Sequence, residues 1–293
     1  MVRSSRTRVG DPGRSVPPAR QRRNTVTTSL RPDGRRLPWY GRFGAPITLV
    51  VGVAAYLLIL DVMMETQNLN LFPTLLLVGA VTVPAAVLLL AFAVDLPARG
   101  HGALIAATAV AGGVVGTTSA GLLEYRALTA MPWLGMVAVG FIEEAVKLIL
   151  PVLILIFYRK HPRGLGVVLG IASGAGFAVL ETMGYGFTAL VTTRGDVAAV
   201  DSTLLLRALL SPAGHVAWTG MTAWALWRLR DVPRPRHGVR TAIGAYLLAV
   251  ALHAAWDGTG SSLPVHIAVA VLSVAVLVVL LVASRAPGRP ASR

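Results

Sequence analysis

PWLGMVAVGFIEEAVKLILPVLILIF, residues 132–157, decides how this chain is read. Its only charged residues are Glu143, Glu144 and Lys147. At about 1.5 Å per residue a helix of this length crosses a hydrocarbon core of about 30 Å. Strands that span lipid are half as long and alternate in polarity, so the valines here do not argue for a barrel. Seven comparable apolar stretches surround it, near 45–64, 72–93, 102–123, 164–190, 204–227, 240–258 and 264–284. The expected fold is all-α: a polytopic membrane bundle of about eight transmembrane helices over residues 44–285, with a short cytoplasmic tail over 286–293.

Composition agrees. The 293 residues are 55% hydrophobic and only 14% charged, against about 25% charged in soluble domains. Cysteine is absent, which excludes disulfides, a thiol nucleophile and cysteine-bound metal clusters. The net charge of +14 raises the question of nucleic acid, and the placement of the charges answers it. Residues 1–43 hold 11 arginines and little apolar periodicity. They are expected to form a disordered basic arm that contacts anionic lipids and not nucleic acid. With an N-terminus in the cytoplasm, 23 of the 27 basic residues fall on the inner side and two, Arg126 and Arg194, on the outer. Lys147 and Arg207 lie within spans. That bias predicts both termini inside and an even number of spans.

Ionisable residues at mid-membrane cost roughly 2.5–3.5 kcal/mol each on insertion scales and are functional by default. Glu143, Glu144 and Lys147 are joined by Glu181 and Tyr185 in the fifth stretch, His215 in the sixth, and His253 and Asp257 in the seventh. Counted from the cytoplasmic ends, Glu143 lies roughly 21 Å up, His215 and His253 roughly 18 Å, and Glu181 and Asp257 roughly 25 Å. Four helices thus bring polar groups to one layer, where independent structural residues would scatter. Glu143 and Lys147 share a helix face, as do His253 and Asp257. Adjacent carboxylates in low dielectric cannot both ionise cheaply, and a lysine that holds one of them charged leaves the other for acid–base work.

Blander roles fit several neighbours. Tyr185, Trp218, Trp224, Trp227 and Trp256 suit packing or an interfacial belt. Arg207 is placed to snorkel outward or to touch Glu181, and Asp61, Glu65 and Glu124 read as solvated. Gly166, Gly170 and Gly174 suit a close helix–helix seam. Neither HExxH nor GxGD occurs. Ser173 in IASGAG lacks a nucleophile-elbow pattern, so a serine–histidine dyad is a minor alternative.

The motifs EEAVK (Glu143, Glu144, Lys147), GAGFAVLE (Phe177, Glu181) followed by Tyr185, His215 and HAAWD (His253, Asp257) resemble those of the PrsW family of bacterial intramembrane proteases, within the wider CAAX-protease-like group. The likeness covers residues 132–260. The CAAX branch has an arginine one position after Lys147 and a histidine where Glu181 stands, so prenyl-protein endopeptidase activity is the weaker alternative. Where the PrsW motif reads Glu-Asn, this chain has Glu181-Thr182. The resemblance implies a multi-pass plasma-membrane endopeptidase that cleaves a single-pass membrane protein such as an anti-sigma factor. Glu143 is then the favoured general base, Lys147 its partner, and Asp257 the residue that orients His253. Residue chemistry leaves two mechanisms open. His215, His253 and Glu181 could hold a divalent metal such as zinc, or the histidines could serve a metal-free glutamate site as oxyanion donors. No organic cofactor is expected. A proton-coupled transporter would use the same buried groups, although the chain lacks the internal repeat such folds carry. A non-catalytic scaffold is the third reading.

Overall fold

The computed structural model describes residues 39–93, 100–158, 162, 164–210, 214–230, 235–260 and 262–284. The tail and residues 1–38 of the expected arm lie outside the described residues, and Trp39 already opens the first helix. Among the described residues the chain is helical, with no strand. The helices are α1 (Trp39–Thr66), α2 (Phe72–Ala93), α3 (Gly102–Ala130), α4 (Gly135–Lys147), α5 (Ile149–Phe157), α6 (Leu165–Thr192), α7 (Val197–Leu210), α8 (His215–Arg228), α9 (Pro235–Gly258) and α10 (Leu263–Ser284). Six of them, α1, α2, α3, α6, α9 and α10, are long and apolar enough to cross a membrane.

The stretches 132–157 and 204–227 are not the single spans the sequence suggested; each is two shorter helices. The first break has a local cause. Pro151 has no N–H to give the Lys147 carbonyl four residues earlier. The helix ends there, Leu148 turns back onto the Ala145 carbonyl, and the Ser173 hydroxyl of α6 donates to the stranded Lys147 carbonyl at 2.6 Å. Ser173 is thereby committed to the fold, which removes the dyad alternative. In the second stretch α7 ends at Leu210 and the next described residue is Gly214. His215 is the first residue of α8.

α6 is the axis of the bundle, packed against α2, α3, α7 and α8. Its small residues permit that crowding. A Cβ on Gly170 would lie 2.5 Å from the Thr219 carbonyl oxygen of α8, and one on Gly174 would strike the His215 carbonyl. Close backbone approach of this kind is how helices associate in lipid, where no hydrophobic drive separates them from the acyl chains. The expected seam is present, and it fixes His215 beside α6.

The periphery has the opposite character. Val50, Val51 and Leu58 of α1 and Val271 and Val279 of α10 expose half or more of their surface. An apolar exterior of that extent suits acyl chains and would be an aggregation liability in water. The chain is a multi-pass membrane protein.

Candidate active site

Four helix faces converge on Lys147, which is fully buried. α4 supplies Glu143, Glu144 and Lys147 from one side, because residues three and four apart share a face. α9 is pressed onto that face. A Cβ on Gly140 would lie 3.1 Å from the Val250 carbonyl, and the Tyr246 hydroxyl donates to the Phe141 carbonyl at 2.7 Å. This registration sets His253 of α9 against Glu144.

The Lys147 ammonium has three protons and three acceptors. Nζ lies 2.9 Å from Glu143 Oε2, 2.9 Å from Glu144 Oε1 and 2.6 Å from His215 Nδ1. It also sits 4.2 Å from the centre of the Phe177 ring. Accepting from the ammonium makes His215 Nδ1 the unprotonated nitrogen, so Nε2 carries the hydrogen and faces Glu181 Oε2 at 2.8 Å. On the other side, His253 Nδ1 contacts Glu144 Oε1 at 2.8 Å. His253 Nε2 lies 3.0 Å from Asp257 Oδ2 and 3.4 Å from Glu143 Oε2. Nε2 is buried, and these two carboxylates are its partners. Glu144 Oε2 is buried without a hydrogen bond.

Glu181 belongs to the outer part of the cluster. Its Oε2 takes Arg207 Nη2 at 2.5 Å, while Arg207 Nε donates to Thr182 Oγ1 at 3.1 Å and the guanidinium stacks on Tyr185. Arg207 therefore turns inward to Glu181, and Thr182 supplies a hydroxyl in this arrangement. Trp218 is more than packing. Its ring stands 5.6 Å from that of His215 and 5.1 Å from that of His253, and its Nε1–H is fixed by Ser273 at 2.8 Å. The sequence offered no signal for that role beyond a tryptophan three residues after a histidine.

Glu143, His215 and His253 each present a ligand atom, and these atoms all lie within 4.8 Å of one another. Ligands about 2.1 Å from a tetrahedral zinc are about 3.4 Å apart, the distance between His253 Nε2 and Glu143 Oε2. His253 Nε2 and Glu143 Oε2 already stand at that spacing with His215 beside them, and two imidazoles with a carboxylate are zinc-ligand chemistry, so these residues fit a divalent cation. Glu143 completes the group where the sequence had suggested Glu181, because Arg207 and the far nitrogen of His215 engage Glu181.

All seven residues singled out from the sequence thus meet in one cluster. Residues 100–284 match the family model described as PrsW family intramembrane metalloprotease. No curated protein and no solved structure matches the chain.

Proposed function

The chain belongs to the PrsW family of intramembrane metalloproteases, a peptidase family, and from that premise we propose how its buried cluster hydrolyses a peptide bond and in what substrate. The carrying observation is Glu144 Oε2, a carboxylate oxygen buried without a hydrogen bond while its twin holds Lys147 and His253, beside the Glu143, His215 and His253 group. In a resting protein such an atom is costly; in an enzyme it awaits a substrate or a water.

Glu143, His215 and His253 would hold a zinc or similar ion; Nδ1 of His215 has one lone pair, so the Lys147 ammonium would yield that nitrogen to the ion and stay on the two carboxylates. Such an ion would acidify the attacking water and polarise the scissile carbonyl. Glu144 Oε2 takes the proton of the attacking water as its oxygen bonds to the carbonyl carbon. Glu144 then returns that proton to the amide nitrogen as the C–N bond breaks. This assigns the base to Glu144 and not to the Glu143 favoured from sequence. Lys147 holds both carboxylates in place, Arg207 anchors Glu181, and Glu181 keeps the Nε2–H tautomer of His215.

The substrate is a single-pass membrane protein, of which an anti-sigma factor is the example the family suggests. The paired helices α4–α5 and α7–α8 supply two crossings beside the six long helices. The arginine bias supports both termini in the cytoplasm of a bacterial plasma membrane, with the basic arm on anionic lipid. The test is co-expression of epitope-tagged single-pass candidates with the wild type and with a Glu143→Gln, Glu144→Gln double variant. A fragment that appears with the wild type alone supports the reading. Identical fragments with both proteins defeat it.

A further inference from the structure

A cavity of about 430 Å³ adjoins the cluster, and His215 forms part of its wall. It lies between Leu206 of α7 and Leu263 of α10, is faced by Trp218 and Trp256, and has Ala178 of α6 beneath it. α7 packs on α2 and α6, while α10 packs on α8 and α9, so the cavity lies between α7 and α10 over the α6–α8 contact. Leu206 and Leu263 are more than half exposed and mark its mouth, whereas Ala178 and Trp218 are buried. Binding pockets commonly span roughly 300–1,000 Å³. This one has room for a large side chain with its adjoining main chain.

We propose that this cavity is the specificity pocket of the peptidase and that it takes a large apolar side chain, aromatic or long aliphatic, from the substrate residue next to the cut bond. The inference rests on the proteolytic reading above and adds to it the class of residue selected. Proximity comes first. Trp218 walls the cavity and also stands against both histidines, so a side chain held there places its own peptide bond beside His215. Rigidity comes second. Ser273 fixes the Trp218 ring, and Trp256 is held edge-on by His266 at 4.4 Å between ring centres. Preorganised aromatic walls favour aromatic and aliphatic guests by area and by ring geometry. Charge comes third. The cationic group in the wall, Arg207, is already paired with Glu181, and His266 Nε2 faces the Trp256 carbonyl at 3.0 Å. A charged guest would be desolvated without compensation.

The probe is a synthetic peptide library with every residue at each position, cleaved by the purified full-length chain in detergent and read by mass spectrometry. The wild type should favour Phe, Trp, Leu or Met over Gly and Ala at one position flanking the cut, by about tenfold or more. Ala178→Leu fills the pocket from beneath and Leu263→Trp narrows its exposed mouth. Each should cut cleavage at bulky residues by about tenfold while cleavage at Gly and Ala stays within about twofold. If Ala178→Leu fails to accumulate, Leu263→Trp decides alone. Unchanged side-chain preference in a folded variant overturns the pocket and leaves the peptidase standing. No cleavage of any peptide by the wild type overturns both.

Discussion

The two halves of the cluster are built to different standards. On the α4–α9 side, Lys147, Glu144 and His253 are at most 1% exposed, and α4 and α9 meet at Gly140 with almost no space between backbones. On the α6–α7 side, the side chains of Glu181 and Arg207 keep 16% and 21% of their surface, and Arg207 borders the cavity. Buried ion pairs lose heavily when one partner is removed, because the survivor is stranded. Pairs that keep some contact with water lose less, because water can take part of the partner's place. The inner half therefore fixes the reactive groups, while the outer half can yield to a substrate without unfolding the bundle.

The largest effect should come from Glu144→Gln. It keeps the shape and removes the proton acceptor, so cleavage should fall by about a thousandfold or more, with membrane levels and bound metal unchanged. Cleavage by Glu144→Gln at more than a tenth of the wild-type rate would return the role of base to Glu143. Next is Lys147→Met, which leaves two buried carboxylates facing each other. A loss of about 3–5 kcal/mol in unfolding free energy in detergent is expected, together with loss of cleavage. Arg207→Gln, the matching change on the outer side, should cost less, about 1–2 kcal/mol, because Glu181 keeps His215. Equal costs for the two variants would erase the contrast between the halves.

A smaller effect tests the helix break. Ser173→Ala strands the Lys147 carbonyl that Pro151 leaves open and should cost about 1–3 kcal/mol. The double variant Ser173→Ala, Pro151→Ala restores a helical N–H to that carbonyl and should recover part of the loss. Thermal unfolding of both variants in one detergent measures it. A Ser173→Ala protein as stable as the wild type would show that the carbonyl has found another partner.

Much of this was legible in the sequence, for physical reasons. Long apolar runs have only helical solutions in lipid, so α2, α6 and α10 could be placed within two residues, and α1, α3 and α9 within seven. The convergence of Glu143, Glu144, Lys147, Glu181, His215, His253 and Asp257 followed from depth, because helical rise converts residue number into height. The rest depended on direction around the helix and on packing, which height does not encode. The stretch 132–157 reads as one span on length and hydropathy, and that a break at Pro151 would be met by Ser173 depended on α6 lying alongside. Arg207 read equally well as snorkelling outward or reaching Glu181, and only the register of α7 on α6 decides between them. Trp218 became visible as a wall of the site only once Ser273 was seen to hold it.

The account stands or falls on whether Glu143, His215 and His253 together hold a catalytic ion while Glu144 does not. Elemental analysis and cleavage should be measured on the same detergent-purified preparations of the wild type, His253→Ala and Glu144→Gln. The wild type should carry about one divalent ion per chain, lose cleavage to 1,10-phenanthroline and regain it with zinc. Glu144→Gln should keep the ion without cleaving, and His253→Ala should lose both. Full cleavage by a wild-type preparation shown to be metal-free would contradict the account.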